Sequence, residues 1–535
     1  MNKKNLGSIH LQVMWNRLLA VVEEQAQALL RTAFSPIVRE CGDLSAGIFD
    51  TKGRMLAQAV TGTPGHVNSM AESVKHFIKE FPIPDMREGD AYVTNDPWRG
   101  TGHLNDLVVT TPAFRNGRVV ALFSCTSHLT DIGGLGFGPM GRDVFMEGLS
   151  VPFLKILDQG RWNETLLAVL RANTRLPVEL EGDLNSLISC NRTGCERAFA
   201  MMDEFGLDVL DDLADTIIDN SQTAVLSAIR KLPAGAYENS MVIDGYEKEL
   251  VLKAAITIND DGVTVDYSGT SGPSEYGINV PMSYTSAYTC FALRCVLAPE
   301  VANNAGSLAP IKVTAPKDCL LNAQRPAPVS SRHVIGQMLP DVIFGCLRQI
   351  IPERVPAEGA SCLWLMNFRQ PSKGGNPGFA LTAVTNGGAG ARPGKDGLSA
   401  TAYPSGVRGT PVEIIEALTP LLFWRKELRK GSGGAGQWRG GHGLSIEIEN
   451  RDDRDVELLS AFDRVIHPAR GCSGGGDGAK GALWLRSNRP IKPKGLGIIA
   501  PGDVLIVNTP GGGGIGSPNR RDKKLIEKDA LDDLA

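Results

Sequence analysis

HLNDLVVTTPAFRNGRVVALFSCTSH, residues 103–128, is the stretch around which the N-terminal half of this chain is organised. Two of its runs, 107–111 and 119–125, are apolar and rich in β-branched residues, which predicts buried strands. Side chains able to bind a metal stand where these strands meet loops, at His103, Asp106 and His128. Loops held at strand ends commonly carry functional groups. The stretch therefore predicts a sheet with a chemical site at its edge.

The sequence on either side alternates predicted helices and strands. Apolar residues at three- and four-residue spacing predict a helix over 8–34, which should end before Pro36 because proline disfavours helix in the preceding residue. Residues 160–231 are also helical by periodicity, whereas 236–268 shows strands separated by turns. Past residue 360 the chain becomes rich in strands and glycine.

These patterns predict a multidomain fold of mixed α/β and α+β type, with an α/β N-terminal metal-binding half and a β-rich, glycine-rich C-terminal third. A chain of 535 residues is too long for one ordinary core. Three domains are predicted. They are an α/β metal-site domain with a helical segment at 1–231, a mixed α+β domain at 232–360 and a β-rich, glycine-loop domain at 361–535.

The composition is that of a globular protein with no polyanion-binding surface. Its residues are 42% hydrophobic, and its net charge is −4 with no long basic run, which argues against nucleic acid as a partner. No run of about 18 apolar residues predicts a membrane span, and the N-terminal residues lack the apolar segment of a secretory signal. Ten cysteines with no Cys-x-x-Cys pair suit reduced thiols, so we expect a cytoplasmic protein.

The densest group of side chains able to bind a metal lies between residues 40 and 131. Its members are Glu40, Asp43, Asn95, Asp96, His103, Asp106, His128 and Asp131. Imidazole and carboxylate groups together suit a divalent ion such as zinc or manganese. The alternative, which spacing alone leaves open, is that these side chains only form hydrogen bonds within loops and cap turns.

Glycine clusters in the last third of the chain admit two interpretations. Successive amides in 509–516 could cradle a phosphate, although no P-loop pattern occurs in the sequence. Alternatively, the clusters form tight turns where two domains or two subunits meet. The segment 431–443 is similar: Arg439 and His442 could face an acidic intermediate, or the segment forms surface turns.

Ten short motifs along the chain resemble those of the hydantoinase B/oxoprolinase family. They are GDLSAGIFDTKGR at 42–54, GHVNSM at 65–70, GDAYVTNDP at 89–97, GHLND at 102–106, VDYSGTS at 265–271, SRH at 331–333, PVEIIE at 411–416, GSGGAG at 431–436, RGGHG at 439–443 and TPGGGG at 509–514. Because they keep the family's order over nearly the full chain, their combination is far more specific than any one motif.

The resemblance implies a metal site formed by Asp43, His103, Asp106 and His128, with zinc as the expected ion and manganese as the alternative. From its place in the sequence, His66 is a candidate substrate contact or a support for the metal site. The approach to His66, TGTPG at 61–65, is less hydrophobic than the family's and leaves the substrate open. His333 is a candidate substrate or subunit contact, or a residue that hydrogen bonds between domains, and no residue is assigned a catalytic role.

Members of the family include the second subunits of ATP-dependent hydantoinases and caprolactamase, the C-terminal half of 5-oxoprolinase, and subunits of acetone and acetophenone carboxylases. The resemblance therefore implies a hetero-oligomer in which ATP binds a separate, larger hydantoinase A-type subunit. We prefer the hypothesis of a metal-containing amidohydrolase subunit that opens a hydantoin, oxoproline or lactam. The alternatives are a subunit of an ATP-dependent ketone carboxylase and a structural subunit whose metal only stabilises the fold.

Overall fold

A computed structural model describes residues 8–361, 363–373 and 378–534 of the chain. The first seven residues, on which the expectation about a secretory signal depends, lie outside this part. Within it, no helix is long and apolar enough to cross a membrane. The nine cysteines described there are all free thiols, as the prediction of reduced cysteines requires.

In the described part of the N-terminal half, a seven-stranded sheet has the order β2-β1-β5-β4-β3-β6-β7. Its strands are β1 (Leu44–Phe49), β2 (Met55–Gln58), β3 (Ala91–Thr94), β4 (Asp106–Arg115), β5 (Arg118–His128), β6 (Leu154–Asp158) and β7 (Arg161–Trp162). Helix and strand are mixed here as predicted, and every strand pair of this sheet is antiparallel.

The turn between β4 and β5 sets the register of the central strand pair. Asn116 and Gly117 join the strands with φ angles of 52° and 76°, a conformation that asparagine and glycine adopt more easily than other residues. Pairing then runs from Arg115 opposite Arg118 to Asp106 opposite His128, with one bulge near Ala113. The two predicted strands therefore end side by side, at the residues predicted to bind a metal.

Helices cover both faces of this sheet, which is why its central strands are largely buried. They are α1 (Ser8–Thr32), α2 (Pro36–Arg39), α3 (Pro64–Glu80), α4 (Glu164–Asn173), α5 (Pro177–Glu204) and α6 (Asp211–Ile229). Ile48 and Phe123 pack against α1 and α5, whereas their neighbours Phe49 and Leu122 pack against α3. Alternate residues of one strand thus enter two different cores. The helix predicted over 8–34 is confirmed and ends at Thr32.

The middle of the chain forms a second sheet, of order β11-β10-β9-β8, with helices packed against it. Its elements are β8 (Gly235–Ile243), β9 (Leu250–Asn259), β10 (Gly262–Asp266), α7 (Met282–Leu297), α8 (Ala305–Leu308), β11 (Ile311–Thr314), α9 (His333–Gly336) and α10 (Leu339–Leu347). Strand β11 runs parallel to β10, and the other strand pairs are antiparallel. The predicted change from helices to strands near residue 235 is confirmed.

The C-terminal part is β-rich, as predicted. Its strands form two sheets, of order β13-β12-β16-β18 and β14-β15-β19-β17. The elements are β12 (Trp364–Gln370), β13 (Phe379–Thr385), α11 (Val412–Leu418), β14 (Leu421–Leu428), β15 (Leu444–Asn450), β16 (Val456–Ala461), β17 (Ala482–Leu485), β18 (Lys494–Ile499), β19 (Val504–Asn508) and α12 (Lys523–Leu531). One apolar core joins residues from Val225 to Val507. The division into three domains stays a prediction.

The glycine runs of this part lie side by side and hydrogen bond to one another. The amides of residues 511–514 donate to the carbonyl groups of Ala479, Gly441, Glu358 and Gly476, respectively. Since these amides are already paired inside the protein, they are not free to cradle a phosphate. The contacts instead support the alternative of tightly packed turns.

We expect Gly512→Ala to destabilise the protein by at least about 2 kcal/mol, because the backbone would have to move to admit a methyl group. A Cβ atom at position 512 would lie 2.0 Å from the carbonyl oxygen of Ala389. Gly272→Ala is the matched control, since a Cβ atom there meets no atom within 4 Å beyond its chain neighbours. Calorimetry should show a lower Tm for the first variant only. Equal Tm values would contradict the packing described.

Candidate metal centre

The site is built on Asp106, the first residue of β4, and on His128, the last residue of β5. Their pairing across the strands brings His128 Nδ1 to 3.2 Å from Asp106 Oδ1. His103 Nε2 lies 2.7 Å from the same oxygen. One ligand atom from each of these three residues lies within 4.8 Å of the others, and all three side chains are buried. The predicted convergence of His103, Asp106 and His128 is therefore present.

The loop before β4 needs glycine to bring His103 back over Asp106. Gly102 has a φ of 95°, which other residues rarely adopt, and a Cβ atom there would lie 3.0 Å from Arg332 Nε. At Gly100, a Cβ atom would lie 2.7 Å from the carbonyl oxygen of Asp96. Both glycines are thus required for the sharp turn of this loop.

The hydrogen bonds of His103 leave one ring nitrogen free to bind a cation. Its Nδ1 lies 2.8 Å from the carbonyl oxygen of Ser330 and must donate there, because a carbonyl can only accept. Nε2 then carries a lone pair, is buried and has no hydrogen-bond donor, although it faces the Asp106 carboxylate. His128 Nε2 is buried and unpartnered as well. Lone pairs gathered in this way fit a divalent cation.

Asp43 and His66 lie at the same site but outside this group of three. His66 stands between two carboxylates, with Nε2 3.0 Å from Asp106 Oδ2 and Nδ1 3.6 Å from Asp43 Oδ1. The hydroxyl group of Thr63 donates to Asp43 Oδ1 at 3.3 Å. Asp43 as a fourth ligand and His66 as a substrate contact therefore stay predictions.

Arg332 is a site residue that the sequence reasoning missed. Its Nη2 donates to Asp106 Oδ2 at 2.6 Å, and its Nε donates to the carbonyl oxygen of Thr101 at 3.0 Å. The guanidinium group lies over the ring of Tyr284, with Cζ 4.2 Å from the centroid. The sequence carries a signal for Arg332 in the SRH motif at 331–333, which places an arginine directly before the candidate His333.

The electrostatics favour a charged Asp106 beside a neutral His103. Burial opposes ionisation of Asp106, but the positive charge of its neighbours, Arg332 among them, holds the pKa of its carboxyl group well below the usual range. Burial, together with the charge of Arg332, lowers the pKa of His103 to about 3. Burial also acts to lower the pKa of His66, but the carboxylates of Asp106 and Asp43 outweigh it and raise that pKa. Asp106 and His103 thus have the protonation states of metal ligands at neutral pH.

His103, His128, His66, Asp43 and Arg332 line a cavity of about 20 Å³. A space of this size holds one ion or one water molecule. Its other lining residues are Ile37, Thr63, Phe137, Tyr284, His333, Gln337, Leu363, Leu365 and Val407. The Phe137 ring packs against three imidazoles, with centroids 4.6 Å from His128, 5.6 Å from His103 and 5.8 Å from His333. Phe137 and Tyr284 had no distinguishing signal in the sequence.

The other polar residues singled out in the sequence hold loops in place. Asn95 bonds the backbone at Leu104, Leu149 and Val151, Asp96 accepts from the Trp98 amide, Asp131 pairs with Arg175, and Glu40 pairs with Arg39. In the glycine clusters, His442 accepts from the Gly433 amide and Arg439 pairs with Asp529. For Glu40, Asn95, Asp96 and Asp131, these contacts favour the alternative of hydrogen bonds within loops and turns.

Comparison with known proteins gives relatives that match almost the whole chain. The Hydantoinase B/oxoprolinase family matches residues 7–518. A 5-oxoprolinase of Pestalotiopsis fici is 30% identical over 99% of this chain, which spans 43% of that protein. A Pseudomonas sp. protein assigned as the B-type subunit of a D-/L-hydantoinase is 29% identical over 99% of this chain and 93% of its own length.

Solved structures share the fold. ATP-dependent caprolactamase from Pseudomonas jessenii has a TM-score of 0.90 and 25% identity, over 99% of this chain and 95% of that one. A nucleotide-free acetone carboxylase structure has a TM-score of 0.85 at 19% identity, over 97% of this chain and 78% of that one, which shows a common fold. On its sequence match and its architecture, this chain belongs to the Hydantoinase B/oxoprolinase family.

Proposed function

We propose that this chain is the metal-containing subunit of an ATP-dependent enzyme that opens a cyclic amide such as a hydantoin, 5-oxoproline or a lactam. The observation that carries the proposal is the convergence of His103, His128 and Asp106 in a buried cavity, with nitrogen lone pairs that no hydrogen-bond donor satisfies. The similarity to ATP-dependent caprolactamase over nearly the whole of both chains supports this class of reaction.

His103, Asp106 and His128 would hold the ion, with Asp43 as the fourth ligand that the family resemblance implies. Zinc is the proposed ion, because two imidazoles and a carboxylate match its ligand preferences, and manganese is the alternative. A divalent ion held there polarises a carbonyl group or lowers the pKa of a bound water.

The residues around the ligands orient them and shield the cavity from bulk water. Arg332 holds one oxygen of Asp106, so the other oxygen faces His103 and His128. Burial and the charge of Arg332 lower the pKa of His333 well below its usual range, and its Nδ1 has no hydrogen-bond partner. The imidazole of His333 therefore stays neutral at neutral pH and is a poor proton acceptor. Phe137 and the apolar lining residues keep bulk water away from the cavity.

ATP is proposed to bind a larger hydantoinase A-type subunit, in a cytoplasmic hetero-oligomer. The paired amides of the glycine loop 511–514 support this division, because that loop was the candidate phosphate cradle in this chain. The relatives also support it, since one is assigned as the B-type subunit of a hydantoinase and this chain spans 43% of the 5-oxoprolinase.

A ketone carboxylase subunit is the second candidate. The observation that favours it is the fold shared with acetone carboxylase, with a TM-score of 0.85. A metal centre of this kind could orient a carboxylated or phosphorylated intermediate equally well, because one fold supports different reactions. The choice between the two candidates depends on the reaction that the complex catalyses.

Purified protein should contain about one divalent ion per chain, as closed sites of imidazole and carboxylate ligands do. His103→Ala and His128→Ala should each lose the ion and lower the Tm, because metal binding is linked to folding. His76→Ala is the control, since His76 lies on α3 against Phe153 and outside the group of ligands. Elemental analysis and thermal unfolding provide the measurements. Full metal content in both ligand variants would remove this site from consideration.

Asp106→Asn should weaken metal binding by at least about 100-fold, because it removes the charge that His103, His128 and Arg332 surround. Asp96→Asn is the matched control. Asp96 accepts a hydrogen bond from the Trp98 amide, a role that asparagine can also fill. Metal affinity and turnover at saturating ATP should fall for the first variant only. Wild-type values for Asp106→Asn would show that Asp106 is not a ligand.

The isolated chain should not hydrolyse ATP, and mixing it with the larger ATP-binding partner should give ATP-dependent ring opening. Suitable substrates are hydantoin, 5-oxoproline and caprolactam, with labelled bicarbonate and a ketone as the comparison. Incorporation of label without ring opening would replace the amidohydrolase with the carboxylase. ATP hydrolysis by the isolated chain would contradict the proposed division between subunits. Full turnover by metal-free complex would leave the metal a structural role.

A further inference from the structure

Glu147 carries a buried carboxyl group outside the proposed ligands, and it is joined to them through the backbone. The residue is 3% exposed, and its Oε1 accepts hydrogen bonds from the amides of Val329 at 2.8 Å and Ser330 at 2.9 Å. Its Oε2 is buried and has no partner. The whole polar contribution of this carboxyl group is therefore to hold two successive backbone amides.

The peptide that Glu147 holds is the one that orients His103. Ser330 uses its amide to bond Glu147 and its carbonyl oxygen to accept from His103 Nδ1 at 2.8 Å. That second bond keeps the proton of His103 on Nδ1 and leaves the lone pair of Nε2 facing Asp106. A shift of the Ser330 peptide would rotate the imidazole ring or free it to adopt the other tautomer.

The same loop also supplies Arg332 to the site. Arg332 lies two residues after Ser330 and bonds both Asp106 and the carbonyl oxygen of Thr101. Its position thus depends on the backbone that Glu147 anchors. Anchoring at 329–330 consequently affects two of the groups that surround the Asp106 carboxylate.

We propose that Glu147 is a positioning residue for the metal centre, which acts by fixing the Ser330 carbonyl group and through it the tautomer and orientation of His103. This inference rests on the proposed function, because it concerns the ability of His103 to bind a metal. It requires only that position 147 present a hydrogen-bond acceptor of the right reach. Burial raises the pKa of Glu147 to about 8, so its carboxyl group is mostly neutral at pH 7. The neutral amide of glutamine is therefore a suitable replacement as a hydrogen-bond acceptor.

The test measures Co²⁺ and Zn²⁺ affinity of the metal-free full chain, by visible absorption for Co²⁺ and by chelator competition for Zn²⁺. Glu147→Ala should weaken both affinities by about 10- to 100-fold, the usual effect of losing a group that orients a ligand. Glu147→Gln should restore wild-type affinity and the wild-type Co²⁺ spectrum, because its carbonyl oxygen can accept both amide bonds. Glu147→Asp, whose reach is shorter, should fall between the two and serves if the alanine variant does not fold.

Asp183 offers a matched control for general loss of stability. It is equally buried, and its Oδ1 accepts from the amides of Phe34 at 2.7 Å and Ser35 at 3.1 Å, while its Oδ2 has no partner. It does not contact the loop that orients His103. Asp183→Ala should therefore lower the Tm and leave metal affinity unchanged.

The outcomes separate this inference from the proposed function. Failure of the wild-type chain to bind either metal would contradict the proposed metal centre itself. If the wild type binds, then wild-type affinity in both Glu147→Ala and Glu147→Asp would overturn the role of Glu147 alone. So would a glutamine variant as weak as alanine, or an equal loss of affinity in Asp183→Ala.

Discussion

The antiparallel register of β4 and β5 is the constraint on which the site depends. It places Asp106 opposite His128, at the ends of two strands whose apolar side chains pack into the cores on both faces of the sheet. A slip of one residue would turn the apolar side chains of a strand to the wrong face, so packing on both faces opposes it. The Asn116–Gly117 turn at the far end sets the same register. The sheet and its helices therefore fix the positions of Asp106 and His128.

A buried carboxylate at this position requires compensation. Asp106 is fully buried, and an ionised carboxylate there would be strongly unfavourable without opposite charge and hydrogen bonds. Arg332, supplied from the middle of the chain, provides one positive charge. The unpartnered lone pairs of His103 and His128 indicate a second positive charge, that of a bound cation. The charge of Asp106, in the N-terminal sheet, is thus balanced by Arg332, which lies 226 residues later in the chain.

The fold leaves the chemistry open, and the glycine-rich region illustrates why. Its backbone amides donate hydrogen bonds to carbonyl groups of neighbouring runs. Glycine is needed there because it allows the backbones to approach closely. The same architecture occurs in ATP-dependent caprolactamase and in acetone carboxylase. What distinguishes such reactions must lie in the groups that surround the site, because one fold supports different reactions.

Sequence by itself determined the strands at 107–111 and 119–125, a helix predicted over 8–34, the β-rich C-terminal part, and His103, Asp106 and His128 as a group. Each of these has a local signal, because periodicity and strand ends are read over a few residues. Only the tertiary structure showed the antiparallel pairing, the place of His66 between two carboxylates, and the contributions of Arg332, Phe137 and Glu147. Those contacts join residues far apart in the chain. Local patterns record which face of an element is buried, but they carry no record of which distant loop will pack against it.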